Sequence, residues 1–257
     1  MKLRIGYELD YDFPQPTPLI LMLNVHFSRV SDLQTPDYIR FSPSVPVSAY
    51  RDGFGNWCTR LVAPQGAMRI TADAVIQDSG LPEAFDCGAG QVPASRFCDS
   101  DRLLDLAWEL FGTTPPGAPR VQAICDFVNR RIAFNYNDAS VTRSASDAYR
   151  EGRGVCRDYA HLAIAFCRAM NIPARYCTCY LGDIGTPQPW PPGDFAASFE
   201  AYLEGGWQMF DPRNNEPRIG RVLIARGRDA ADVAIATTFG PNTLTGFRVW
   251  TDEVIEA

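Results

Sequence analysis

The apolar period changes twice along this chain, and that order constrains the fold more than any other feature. From residue 1 to about 78, short alternating runs (2–9, 19–27, 57–62 and 68–75) lie between Pro- and Gly-rich turns. Alternation with a period of two marks strands that bury one face. Asp52-Gly53 and Gly55-Asn56 suit tight hairpin turns, because Gly takes positive φ without a steric penalty. Four or more such runs with no helical period predict a small antiparallel β-sandwich. Residues 78–100 keep no steady period and read as a linker.

A helical period then takes over. Ser100 is placed to cap a helix over 101–111, with Leu103, Leu106, Ala107 and Leu110 on one face. A second helix is expected over 120–132, with Val121, Ile124, Cys125 and Val128 inward, and a third from about Cys156 to before Pro173. Strand signals return at 174–181, 195–203 and 207–211, with a final strand at 246–253. Helices followed by hairpin-linked strands predict an α+β fold rather than alternating βαβ units. The expected organisation is an N-terminal antiparallel β-sandwich in residues 1–90, then a domain of helices packed on an antiparallel sheet in 91–257.

Composition narrows the function classes. With 46% hydrophobic and 21% charged residues the chain matches a globular protein, not a disordered or coiled-coil one. Net charge is −6, and no basic stripe exists to neutralise a phosphate backbone, so no nucleic-acid partner is expected. The longest apolar run, Leu19 to Val25, holds Asn24 and is too short to span a membrane. The N-terminal residues carry no apolar leader pattern, so the expected location is cytoplasmic and away from membranes.

Eight cysteines sit at 58, 87, 98, 125, 156, 167, 177 and 179, with only two histidines, His26 and His161. Without a C-x-x-C pair this set predicts neither zinc nor a disulfide framework, and no organic cofactor is implied.

The sharpest local feature is the run from Glu151 to His161, EGRGVCRDYAH. Gly152 and Gly154 precede an apolar helix, which puts Cys156 at or near its first turn. Unpaired backbone N–H groups and the positive end of the helix dipole favour thiolate there, below the free value of about 8.5. The same groups can donate to an oxyanion. The plainer alternative is a half-buried cysteine at an ordinary helix start.

Four stretches carry a family resemblance. They are Gly154-Val155-Cys156-Arg157-Asp158-Tyr159-Ala160, Ile172-Pro173-Ala174-Arg175-Tyr176, Phe199-Glu200-Ala201-Tyr202-Leu203 and Trp207-Gln208-Met209-Phe210-Asp211-Pro212. In this order they resemble the transglutaminase-like superfamily, cysteine enzymes of papain-like fold that include microbial cysteine-protease relatives. The match spans about 154–215, and the β-rich N-terminal region is similar to the extra domain of bacterial members. The resemblance implies a Cys–His–Asp triad for acyl transfer at a peptide or protein amide, with Cys156 as nucleophile and Asp211 orienting the imidazole.

The triad histidine is replaced. In the stretch Asp194-Phe195-Ala196-Ala197-Ser198-Phe199-Glu200, Ala196 takes the His slot and Ser198 the slot of an aromatic. Alanine cannot move a proton. His161 lies about 140° around the helix and about 7.5 Å along it from Cys156, out of reach of the sulfur. His26 sits in the N-terminal region, where it would serve only if that region docks at the site. Asp194 shares a strand face with 196 and 198, so its carboxylate is a candidate weak base if its pKa is raised. The loop Pro187-Gln188-Pro189-Trp190-Pro191-Pro192 is placed to cover a cleft.

Three readings follow. The chain is a thiol-dependent amide hydrolase or acyl transferase working through Cys156, or a catalytically silent relative that binds a peptide or a partner. In the third, the base comes from His26, another subunit or the substrate.

Overall fold

Tyr7 and its neighbours on β1 (Lys2–Phe13) organise the first half of the molecule. In the computed structural model, which describes residues 1–80 and 93–255, Leu3, Ile5, Tyr7 and Leu9 of this strand are all buried. The strands that follow are β2 (Thr17–Leu21), β3 (Arg40–Ser42), β4 (Val47–Arg51), β5 (Trp57–Ala63) and β6 (Gly66–Gln77). The long run expected at 19–27 stops being a strand at Leu21. Asp37 explains this, because its side chain accepts the Val25 N–H at 2.6 Å and its carbonyl accepts the Asn24 amide at 2.9 Å. The backbone is thus turned away from the ladder into a 3-10 turn, Phe27–Asp32.

The helical layer opens with a 3-10 turn at Ser100–Leu103, then α1 (Leu104–Phe111), α2 (Ala118–Arg131), α3 (Ala145–Glu151) and α4 (Cys156–Ala169). Two short strands, β7 (Ala133–Phe134) and β8 (Arg153–Gly154), pair in parallel just before α4. Helix α3 was not expected from periodicity. It is fixed by a capping box: Ser144 Oγ accepts the Asp147 N–H, and the Asp147 carboxylate accepts the Ser144 N–H.

Every residue of α4 from Asp158 to Ala169 is buried. One side packs on α1, α2 and α3, and the other on an antiparallel sheet of β9 (Ala174–Leu181), β10 (Phe195–Leu203), β11 (Gly206–Phe210) and β12 (Arg221–Gly227), in the order β11-β10-β9-β12. A helix buried all round, its few polar side chains bonded inside the fold, has no solvent face and becomes the centre of its layer. Strand β12 was also unforeseen. It is buried from Val222 onward, but its arginines at 221 and 226 interrupt the apolar run.

The two last strands, β13 (Ala236–Thr238) and β14 (Thr243–Glu253), return to the N-terminal sheets. β14 pairs with β1, giving the order β14-β1-β6-β3, and β13 pairs with β2, giving β13-β2-β5-β4. The fold is α+β, with antiparallel sheets and a helical layer sharing one buried core. The expected division at 90/91 and Cys87 both lie outside the described residues.

Candidate active site

Local chemistry fixes the start of α4. Gly152 ends α3 with φ +65°, a left-handed conformation that L side chains resist. At Gly154 a Cβ would overlap the Asp158 carboxylate. That carboxylate accepts the Val155 N–H at 2.9 Å and an Arg143 Nη1 donor at 3.1 Å. Both side chains are almost wholly buried, so the turn that presents Cys156 is held rigidly.

Cys156 opens into a cleft of about 500 Å³, walled by the loop between β9 and β10, by Ala196 and Ala197, and by Val249 to Glu253 of β14. Trp190 of the Pro-rich loop lines it too. Backbone N–H groups of Ala197 and Arg157 act on the sulfur, as a helix start predicts. Burial nevertheless dominates: together with the nearby Asp194 carboxylate it pushes the thiol up to about 11, against the pull of those N–H groups and Arg213. The stabilised thiolate expected from the helix start is therefore not what the folded site favours.

Asp211 stands just beyond β11. Its Oδ2 accepts Arg221 Nη2 at 2.5 Å and Asn214 Nδ2 at 2.7 Å, while Oδ1 accepts the Asn214 N–H at 3.0 Å. Burial would raise this carboxyl, but Arg221 and Asn214 outweigh it and hold it below its ordinary value. Burial would depress Arg221, but its contacts with the Cys179 side chain and the Asp211 carboxylate raise it. Cys179 is the cross-strand partner of Ala196. The guanidinium thus bridges Asp211 and Cys179, the strand neighbour of Ala196.

The remaining candidates separate clearly. Asp194 lines the cleft with Cys156 and Ala196; burial raises its carboxyl against the Phe195 N–H, Arg213 and Tyr136. His161 faces elsewhere. Its Nε2 accepts the Ala230 N–H at 3.1 Å, its ring packs on Phe97 and Tyr176, and burial holds it well below its usual value, hence neutral. His26 bonds Ser28 and the Phe54 carbonyl, and burial with Arg226 lowers it to about 4. It does not line the cleft. Glu200 is structural: Arg175 Nε at 2.5 Å and Arg226 Nη2 at 2.9 Å both donate to it, all three side chains being buried.

Sequence reasoning missed Arg213, Asn214, Arg221 and Tyr136. Arg213 and Asn214 directly follow Asp211-Pro212, and the interruption of an apolar strand by Arg221 was the available signal for the third. Nothing local marked Tyr136. Among the described residues no cluster of His, Cys, Asp or Glu is arranged to hold a metal ion. No helix among them is long and apolar enough to cross a membrane.

Cys156 thus opens a central helix packed on an antiparallel sheet, and Asp211 directly follows that sheet's edge strand. The core pattern of the transglutaminase-like superfamily matches residues 105–212. A solved structure from Cytophaga hutchinsonii, named as a putative cysteine protease, is 31% identical with a TM-score of 0.86, covering 100% of this chain and 92% of that one. An uncharacterised protein of Mycobacterium leprae is 32% identical over 120 residues, 44% of this chain and 42% of its own length. An uncharacterised Mycobacterium tuberculosis protein is 27% identical over 228 residues, covering 72% of this chain and 69% of its own. The chain belongs to the transglutaminase-like superfamily.

Proposed function

We propose that this chain uses the transglutaminase-like cleft to bind a peptide or amide-bearing ligand at Cys156, without turning it over by Cys–His–Asp acyl transfer. The observation that carries this reading is the pairing of Asp211 with Arg221, whose guanidinium also meets Cys179, the cross-strand partner of Ala196. Triad chemistry needs a base that accepts the thiol proton and a carboxylate free to orient it. Here the slot holds a methyl group, the carboxylate is occupied by a guanidinium, and the thiol is raised to about 11. Loss of one member of such a unit lowers the rate by several orders of magnitude. The test is turnover of a glutamine- or amide-containing peptide, with and without an added amine, by the wild type and Cys156→Ala. Equal, background-level rates are expected. Cys156-dependent product release would overturn the reading.

A second reading keeps acyl chemistry. Asp194 is the carboxylate that acts most strongly on the Cys156 thiol, and its own raised pKa suits it as a weak base. Thiolate would attack the amide carbonyl, with the Ala197 N–H near the developing oxyanion. This reading requires turnover that disappears in both Cys156→Ala and Asp194→Asn.

A further inference from the structure

One wall of the cleft carries a cation that no ion pair among the described residues neutralises. Three arginines lie on the segment after Asp211. Arg221 is paired with Asp211, and Arg218 donates to Asp183 at 2.9 Å and to the Gly182 carbonyl at 2.8 Å. Arg213 forms no ion pair among the described residues. Its Nη1 donates to Asn214 Oδ1 at 3.0 Å, and its guanidinium carbon lies 4.2 Å from the centroid of the Phe134 ring. Stacking on Phe134 fixes the plane of the group, while the hydrogen bond to Asn214 sets its direction. The other donors remain available in the cleft that holds Cys156.

A planar guanidinium with spare donors matches the two oxygens of a carboxylate better than it matches a neutral amide. The cleft also contains Asp183, Asp194, Asp252 and Glu253. Those acids confine an anionic group to the one wall where an unpaired cation can receive it. Asp194 feels the Arg213 charge but forms no ion pair with it, its Oδ1 accepting the Phe195 N–H at 2.7 Å.

We propose that Arg213 is a carboxylate-recognition residue, so that the ligand of this cleft presents a carboxylate to its fork beside Cys156. This deepens the cleft-binding reading and rests on it. The carboxylate belongs either to a peptide C-terminus or to an acidic side chain, and the chemistry at Arg213 is the same for both.

The test uses two alkylating probes that react with the same sulfur through the same carbon, expelling iodide: iodoacetate and iodoacetamide. Arg213 also influences the thiolate fraction, but that effect is common to both probes and cancels in their rate ratio. Modification of Cys156 is read by peptide mass mapping. The iodoacetate-to-iodoacetamide ratio is expected to fall by roughly five- to tenfold in Arg213→Met, the scale of one charge-assisted pair in a partly solvated site. Arg213→Lys, which keeps the charge and loses the fork, is expected to fall between. A ratio unchanged in both variants overturns the inference.

Protection of Cys156 then identifies the source of the carboxylate. Acetyl-Ala-Ala protecting better than acetyl-Ala-Ala amide points to a C-terminus. Acetyl-glutamate methylamide protecting better than its glutamine counterpart points to a side chain. No preference for either acid over its neutral analogue again overturns the inference. Cys156-dependent turnover would instead overturn the binding reading, whatever the ratio.

Discussion

Arg221 Nη2 donates to Asp211 Oδ2 at 2.5 Å, and both side chains are largely buried, 13% and 8% exposed. The carboxylate that would orient a catalytic histidine is therefore an ion-pair partner and a brace for the Asn214 turn. On the proposed reading, Ala196 supplies no imidazole and Arg221 takes up the Asp211 charge that an imidazole would have met.

Removing the guanidinium should unmask this coupling. In Arg221→Met the Asp211 carboxylate stays buried with only Asn214 as partner, which costs about 2–4 kcal/mol at neutral pH. Because Asp211 is held below its ordinary value of 3.8, the wild-type pair stabilises the fold above that pH and loses its contribution as pH falls through the depressed value. The variant should lose less stability on acidification, since its Asp211 accepts a proton readily. Urea unfolding at pH 7 and at about pH 2.5 measures both effects.

Restoring the histidine alone should not restore the triad. In Ala196→His the new imidazole meets an Asp211 already bound to Arg221, so the pH midpoint of Cys156 alkylation should move by less than about one unit. In Ala196→His with Arg221→Met, the imidazole gains both space and a carboxylate, and the midpoint should fall by about two units or more. Equal midpoints in the two variants would contradict the coupling.

The architecture around this site was largely legible. Period-two and period-3.6 runs placed β9, β10 and α4 within a few residues, because their apolar faces are continuous. Strand parity put Asp194 on the face of Ala196, the family resemblance set Ala196 against Cys156, and the three line one cleft. What failed was anything decided by distant partners. The 19–27 run was broken by Asp37, and β12 was hidden by arginines whose counter-ions, Asp211 and Glu200, come from other strands. The thiol followed the same pattern. Its helix start argued for thiolate, but burial by the surrounding fold, invisible in a local reading, reversed the direction.

Glu200 holds two buried guanidinium groups, Arg175 and Arg226, between the core sheet and the N-terminal region. Glu200→Ala removes the carboxylate that both buried cations share and should destabilise the protein by about 3–5 kcal/mol. Glu200→Gln keeps the shape and should also destabilise, because it removes the charge. Thermal unfolding of both variants at matched pH checks this.

His26 makes stability depend on pH in a definite window. Its folded value of about 4 lies below the ordinary 6.5, so the unfolded chain binds more protons between those values. Stability should fall as pH drops from 6.5 to 4, by up to about 3 kcal/mol from this group. In His26→Asn that share of the slope should vanish, leaving the part contributed by His161. Denaturant unfolding between pH 4 and pH 7 for both proteins gives the difference.

The central claim is that this cleft keeps its cysteine as a thiol and lacks a working base. The most direct test is the alkylation rate of Cys156 against pH, followed by mass mapping because seven other cysteines are present. The account predicts little reaction at neutral pH and a rise with a midpoint near 11. A rate that stays high down to about pH 6 would reveal a stabilised thiolate and contradict it.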